Sequence, residues 1–140
     1  MKNSQDLVPL GRTDVMVTSV GVGTWAWGDS LFWGYGGNGY DDTDIREAFD
    51  VSLENGANWF DTAEVYGMGK SERFLGNFIP STSKEVLVAT KFFPFPWRVC
   101  KQAMFRSLKK SLKRLQRNQV DLYQIHTPLG WGSKPKYVSS

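Results

Sequence analysis

Three apolar runs in this chain each stop on an ionisable side chain. Ala57-Asn58-Trp59-Phe60 leads into Asp61, Val86-Leu87-Val88-Ala89-Thr90 leads into Lys91, and Val120-Asp121-Leu122-Tyr123-Gln124-Ile125 leads into His126. Short apolar runs separated by helical periodicity read as buried strands of a parallel sheet. Parallel strands need crossover connections, and their C-terminal ends share one face of the sheet. Asp61, Lys91 and His126 are therefore expected at one rim. Tyr66, in a Gly-flanked loop five residues beyond Asp61, should stand above them.

The rest of the chain fits the same plan. Residues 7–17 read as a hairpin turning at Gly11-Arg12-Thr13-Asp14, with Pro9 on an edge. Residues 19–23 read as a short buried strand. The Gly- and aromatic-rich stretch 26–40 has no period and reads as a long loop, a length that usually serves function. A helix begins at Asp42 or Thr43 with Ile45, Ala48, Phe49, Ser52 and Leu53 inward, and Asn55-Gly56 closes it. Ser71 is placed to cap a second helix, with Phe74, Leu75 and Phe78 inward and Pro80 at its end. Residues 99–117 show a third helix, with Met104, Phe105, Leu108, Leu112 and Leu115 in one stripe. The sum is an α/β chain: a hairpin, then four parallel strands with three helices between them.

Composition narrows the function classes. Between Val86 and Val120 stand nine Lys/Arg and no acid; the chain's net charge is +3, so the remainder carries −6. A basic face of this kind is expected to be a solvated helix exterior, because the opposite face is too apolar to be free and no groove-reading motif accompanies it. Nucleic acid and membrane partners are not expected. No apolar run approaches the ~18 residues of a membrane span, and residues 1–6 show no apolar leader. The single cysteine, Cys100, excludes an internal disulfide. One histidine, one cysteine and an inward aspartate cannot build a closed metal site.

Two glycine patterns invite a dinucleotide-fold reading. Gly21-Val22-Gly23-Thr24-Trp25-Ala26 follows a strand but opens no helix; Gly34-Tyr35-Gly36-Gly37-Asn38-Gly39 precedes a helix but follows no strand. Each has half the required context. Gly69-Lys70-Ser71 lacks the first glycine of a P-loop, since Glu64 stands where it should be.

Asp61-Thr62-Ala63-Glu64-Val65-Tyr66-Gly67, followed by Ser71-Glu72-Arg73-Phe74-Leu75-Gly76, resembles the signature of the aldo-keto reductase family. Gly21-Val22-Gly23-Thr24-Trp25, Val88-Ala89-Thr90-Lys91 and the run ending at His126 match its other landmarks in order, from about Leu10 onward. Pro96-Trp97-Arg98 and Trp25-Ala26-Trp27-Gly28 are similar to a branch that includes plastid members. The resemblance implies a partial TIM-type (β/α)8 barrel over residues 1–140, in a family that reduces aldehydes and ketones with NADPH. It makes Tyr66 the proton donor, Lys91 and Asp61 its electrostatic partners, and His126 the group that orients a small carbonyl substrate. It puts Gly23, Thr24, Trp25 and Asp61 beside the nicotinamide ribose, and Trp25, Trp27, Phe92 and His126 around the substrate.

The resemblance reaches only the fourth of eight strands, where a full barrel takes ~250 residues. The 140-residue chain is thus expected to be a truncated reductase domain, short of full cofactor binding and activity. The alternatives are a non-catalytic half-barrel that self-associates or pairs with another chain through its exposed edges, and a basic-helix binding module. A cytoplasmic location is expected, with a plastid left open.

Overall fold

The computed structural model describes residues 7–37, 39–98 and 100–127. Strands β1 (Leu7–Pro9) and β2 (Met16–Thr18) form an antiparallel hairpin. Strands β3 (Val22–Gly23), β4 (Trp59–Asp61), β5 (Leu87–Phe92) and β6 (Leu122–Ile125) pair in that order, all parallel. Helices α1 (Asp42–Glu54), α2 (Lys70–Phe78) and α3 (Lys101–Leu115) lie between them in sequence. The expected inventory of one hairpin, four parallel strands and three helices is present. Residues 128–140, where neither a further helix nor a further strand was expected, lie outside the described residues.

Local chemistry sets most element ends. Asp41 caps α1 by accepting from the N–H groups of Thr43 and Asp44, while the Asp44 carboxylate accepts from the Asp41 N–H. Ile45, Phe49 and Leu53 form the buried stripe of α1. Their core also holds Trp27, Phe60, Leu75, Val86, Val88 and Leu115, and the rings of Phe49 and Phe60 meet at 5.1 Å.

Three expectations are corrected. Only Val22 and Gly23 of the stretch 19–23 pair, and Val20 is 63% exposed, because β3 is an edge strand. Ser71 does not cap α2; Gly69, at φ +86°, precedes the helix, and Ser71 is buried inside it. Of the expected stripe on α3 only Leu115 is fully buried; Met104, Leu108 and Leu112 are half-buried, Phe105 is 57% exposed, and Ala103, Ser107 and Ser111 are the other buried positions. At the C-terminal end of α3 the two helices approach closely: a Cβ on Gly76 of α2 would stand 2.3 Å from the Arg114 carbonyl oxygen.

The basic stretch is also less solvated than its composition suggests. Lys91, Arg98, Arg114 and Arg117 form ion pairs with Asp61, Glu64, Glu72 and Asp121, all from outside residues 86–120 or at its edge. Among the described residues no helix is long and apolar enough to cross a membrane.

Candidate active site

The parallel ladder brings the strand ends together. Gly23 pairs with Asp61, Asp61 with Ala89, and Lys91 with Gln124, while the His126 N–H donates to the Phe92 carbonyl. Residues two apart on a strand share a face, so Lys91 leans toward Asp61. Its Nζ donates to both Asp61 carboxylate oxygens at 2.7 Å and to the Thr62 carbonyl at 3.0 Å. The same Nζ lies 3.5 Å from the Tyr66 hydroxyl.

Tyr66 is held by a tight turn. It opens a single 3-10 turn, Tyr66–Gly69, in which Gly67 and Met68 take φ of 54° and 57°. A Cβ on Gly67 would lie 2.7 Å from the Gly28 carbonyl oxygen, so glycine is required by both conformation and contact. The loop thereby packs on the Trp27–Gly28 backbone. The His126 ring stands edge-on to Tyr66 at 5.3 Å and to Phe93 at 5.5 Å.

These rings wall a cleft of about 400 Å³ lined by Trp25, Asp29, Phe32, Val65, Tyr66, Phe93 and His126. Trp25 is half exposed and lies 6.3 Å from the Tyr66 ring. Burial, then the Lys91 charge, pushes the His126 imidazole below its usual range, against smaller opposing effects of Asp61 and Glu64. His126 is thus neutral at neutral pH. Its Nδ1 is buried and has no hydrogen-bond partner among the described residues.

The structure gathers Asp61, Tyr66, Lys91, His126 and Trp25, with exposed Gly23 beside Asp61, but it moves three expected contacts elsewhere. Trp27 is 6% exposed and packs on Phe60 and Phe78 in the core. Phe92 is fully buried beneath the Arg98 guanidinium; Phe93, the next residue along, lines the cleft instead. Thr24 is also fully buried. Its N–H and hydroxyl donate to the Asp61 carbonyl, and its own carbonyl accepts from Trp27 N–H and Ser71 Oγ, so its polar groups are engaged in holding Asp61 from behind.

Two residues that shape the cleft escaped the sequence reading. The Asp29 carboxylate accepts from the N–H groups of Leu31 (2.9 Å) and Phe32 (2.7 Å), a local turn that brings Phe32 to the cleft. An aspartate opening a Gly-rich loop is a signal for such a turn. The Glu64 carboxylate accepts from the Phe93 N–H, from both terminal nitrogens of Arg98 and from the Ser107 hydroxyl. Burial alone would raise the Glu64 carboxyl, but these donors hold it below its usual range. Arg98 also donates to the Phe93 carbonyl, so one ion pair clamps both polar backbone groups of Phe93.

An ammonium chelated by a carboxylate and set beside a phenol, with a neutral imidazole at the phenol's edge, is equipped to move one proton at a small cleft. Comparisons with known proteins identify the family. The chain is 43% identical over 120 residues to the chloroplastic pyridoxal reductase of Arabidopsis thaliana, covering 79% of this chain and 32% of that protein. It superposes with a TM-score of 0.71 on the thermostable aldo-keto reductase Tm1743, solved with the inhibitor epalrestat, at 30% identity and over 87% of this chain and 43% of that one. An aldo-keto reductase from Klebsiella pneumoniae, solved with NADPH, gives 0.65 at 29% identity, over 80% and 36%. The chain spans about a third of the length of the curated relatives it matches, and its hairpin, parallel strands and helices form part of the (β/α)8 barrel of its structural neighbours. The aldo/keto reductase family model matches residues 19–133, and the chain belongs to that family.

Proposed function

We propose that this chain supplies the proton-transfer side of an NADPH-dependent reduction of aldehydes or ketones to alcohols. The observation that carries the proposal is the position of Lys91 Nζ, 2.7 Å from both Asp61 oxygens and 3.5 Å from the Tyr66 hydroxyl. Tyr66 gives its proton to the carbonyl oxygen. Lys91 stabilises the phenolate left behind, and Asp61 fixes the ammonium in place. Neutral His126 faces the same cleft and can donate to the carbonyl oxygen as negative charge grows on it. Trp25, Phe32 and Phe93 form the apolar side of the cleft.

The cleft fits the reacting end of a nicotinamide. It is walled by rings, its polar groups are few, Trp25 lines it, and exposed Gly23 pairs with Asp61 on the neighbouring strand. Gly23, Trp25 and Asp61 would hold the nicotinamide ribose, and NADPH, when bound, supplies the hydride. A structural neighbour was solved with NADPH, which supports this choice of cofactor. Turnover is proposed for the whole protein; the 140-residue chain by itself is expected to bind nucleotide weakly and to turn over little. The test follows NADPH consumption with a simple aldehyde alongside nucleotide fluorescence. Tyr66→Phe should remove turnover and leave nucleotide binding intact, whereas turnover undiminished in Tyr66→Phe would refute the assignment.

A second reading rests on the sheet: among the described residues β3 and β6 each keep an unpaired edge. It holds that these edges associate with a second copy or another chain. Size-exclusion chromatography decides it, a concentration-independent monomer counting against association.

A further inference from the structure

The outer groove between α2 and α3 gathers cations without matching acids. A cleft of about 470 Å³ is lined by Arg73, Asn77, Lys110, Lys113, Arg114 and Gln116. A second, of about 520 Å³, shares Lys110 and Arg114 with the first and runs past Arg106 toward Arg98 and Glu64. The two nearby acids are already committed: Glu64 to Arg98, and fully buried Glu72 to Arg114. Among the described residues Arg73, Arg106, Lys110 and Lys113 make no ion pair.

Two features mark this groove off from an ordinary charged helix surface. Arg106, Lys110, Lys113 and Arg114 stand three and four positions apart on α3, and like charges at those spacings destabilise a helix. Helix α1 shows the usual remedy, Arg46 bonded to Asp50 one turn on; α3 has no acid at all. Arg114, moreover, is seated in advance. A Cβ on Gly69 would lie 2.8 Å from Arg114 Cδ, and one on Gly76 would strike the Arg114 carbonyl, so two glycines make its place. Glu72 then holds its Nε at 2.6 Å, and its Nη2 donates to Ser111 Oγ at 3.2 Å. An ordered guanidinium therefore floors a cleft rimmed by exposed cations from two helices, with the amides of Asn77 and Gln116 bonded to each other at 2.8 Å along its wall.

We propose that this cleft binds a small polyphosphate, an anion carrying two or more linked phosphate groups. Several positive side chains around one cavity match clustered negative charge, and a lone monoanion would answer only one of them. The volume suits a ligand of nucleotide size. The cleft lies between helices, separate from the strand-end cleft of Tyr66 and His126, so the proposal stands apart from the reductase reading.

The probe is inorganic tripolyphosphate, titrated into the full chain at low ionic strength by calorimetry. Lys110 lines both clefts, and Lys109, its neighbour on the helix, lines neither. Lys110→Gln and Lys109→Gln therefore remove the same charge from adjacent positions. Loss of one charge-assisted contact should raise the dissociation constant about tenfold for Lys110→Gln, and by less than about threefold for Lys109→Gln. Equal weakening by both would show a diffuse field and overturn the proposal, as would the absence of saturable binding. Should Lys110→Gln lower the melting temperature without ligand, Arg73→Gln on the facing helix takes its place, with the same tenfold loss expected.

Discussion

Arg114→Met should strongly destabilise the helical layer. Its partner Glu72 is fully buried; one oxygen accepts from the Thr90 hydroxyl at 2.5 Å and the other from Arg114 Nε at 2.6 Å. Methionine keeps the stem but leaves a carboxylate out of water with one neutral donor. Removing one partner of a buried pair costs about 3–5 kcal/mol, against about 0.3–0.5 kcal/mol for an exposed helix pair such as Arg46–Asp50. Arg114 itself is only 18% exposed, so its pairing with Glu72 is little screened by solvent. For a chain of this length each kcal/mol moves the melting midpoint by roughly 3–4 °C, so the expected drop is about 9–20 °C. Urea unfolding of the wild type, Arg114→Met, Glu72→Gln and the double variant checks the reasoning. The double variant should recover most of the loss, because the charge left unpaired is gone. A loss below about 1 kcal/mol for Arg114→Met, or a double variant no better than the single, would show that this pair is not what joins α2 to α3.

Three further outcomes are expected. Tyr66→Phe should lower the reduction rate of the whole protein by about 10²–10⁴-fold, in the range for loss of a general acid, with nucleotide binding measured in parallel as the control. Lys91→Met should raise the pKa of His126, because the Lys91 charge is one of the causes that depress it; His126 is the only histidine in the sequence, so its ring protons can be followed by NMR without ambiguity, and an unchanged or lowered value would contradict the geometry. Glu64→Gln should cost about 1–3 kcal/mol at neutral pH and flatten the acid limb of stability. The folded Glu64 carboxyl sits below its usual range, so its contribution is fully present above the unfolded value of ~4.3 and fades as pH falls through the folded value; a variant with an unchanged acid limb would argue against that sign.

The strand-end arrangement was legible because it depends on one rule, that parallel strands finish on one face, and on three runs whose last residues are unmistakable. Side-chain parity was harder. Phe92 and Phe93 are adjacent aromatics, and only the ladder decides that Lys91 faces the Asp61 rim while Phe92 turns to the helices. Trp27 sat in a loop with no period, where nothing local tells a core anchor from a pocket wall. On α3 Leu115 is buried as the stripe requires, but hydrophobicity also favoured Met104 and Phe105, whereas the other buried positions are Ala103, Ser107 and Ser111, with Ser107 bonded to Glu64. Ion pairs such as Glu64–Arg98 and Glu72–Arg114 join residues 34 and 42 positions apart, a separation at which no periodicity operates.

The hydroxyls behind Asp61 can be wired in only one direction. The Thr24 hydroxyl spends its single proton on the Asp61 carbonyl, so toward Ser71, 2.7 Å away, it can only accept. Ser71 must then spend its own proton on Thr24, shared between the hydroxyl and the carbonyl at 3.0 Å, which leaves the Thr62 hydroxyl as the donor of the 2.8 Å bond between Thr62 and Ser71. Three protons thus run in file from Thr62 through Ser71 and Thr24 to the backbone oxygen of Asp61. Valine at Thr24 or Thr62, or alanine at Ser71, would remove a hydroxyl with little added bulk and strand a neighbour with nothing to give to or receive from. Tolerated changes there should come in sets, which ties two distant words of the sequence to a third and makes their joint inheritance a matter of proton direction.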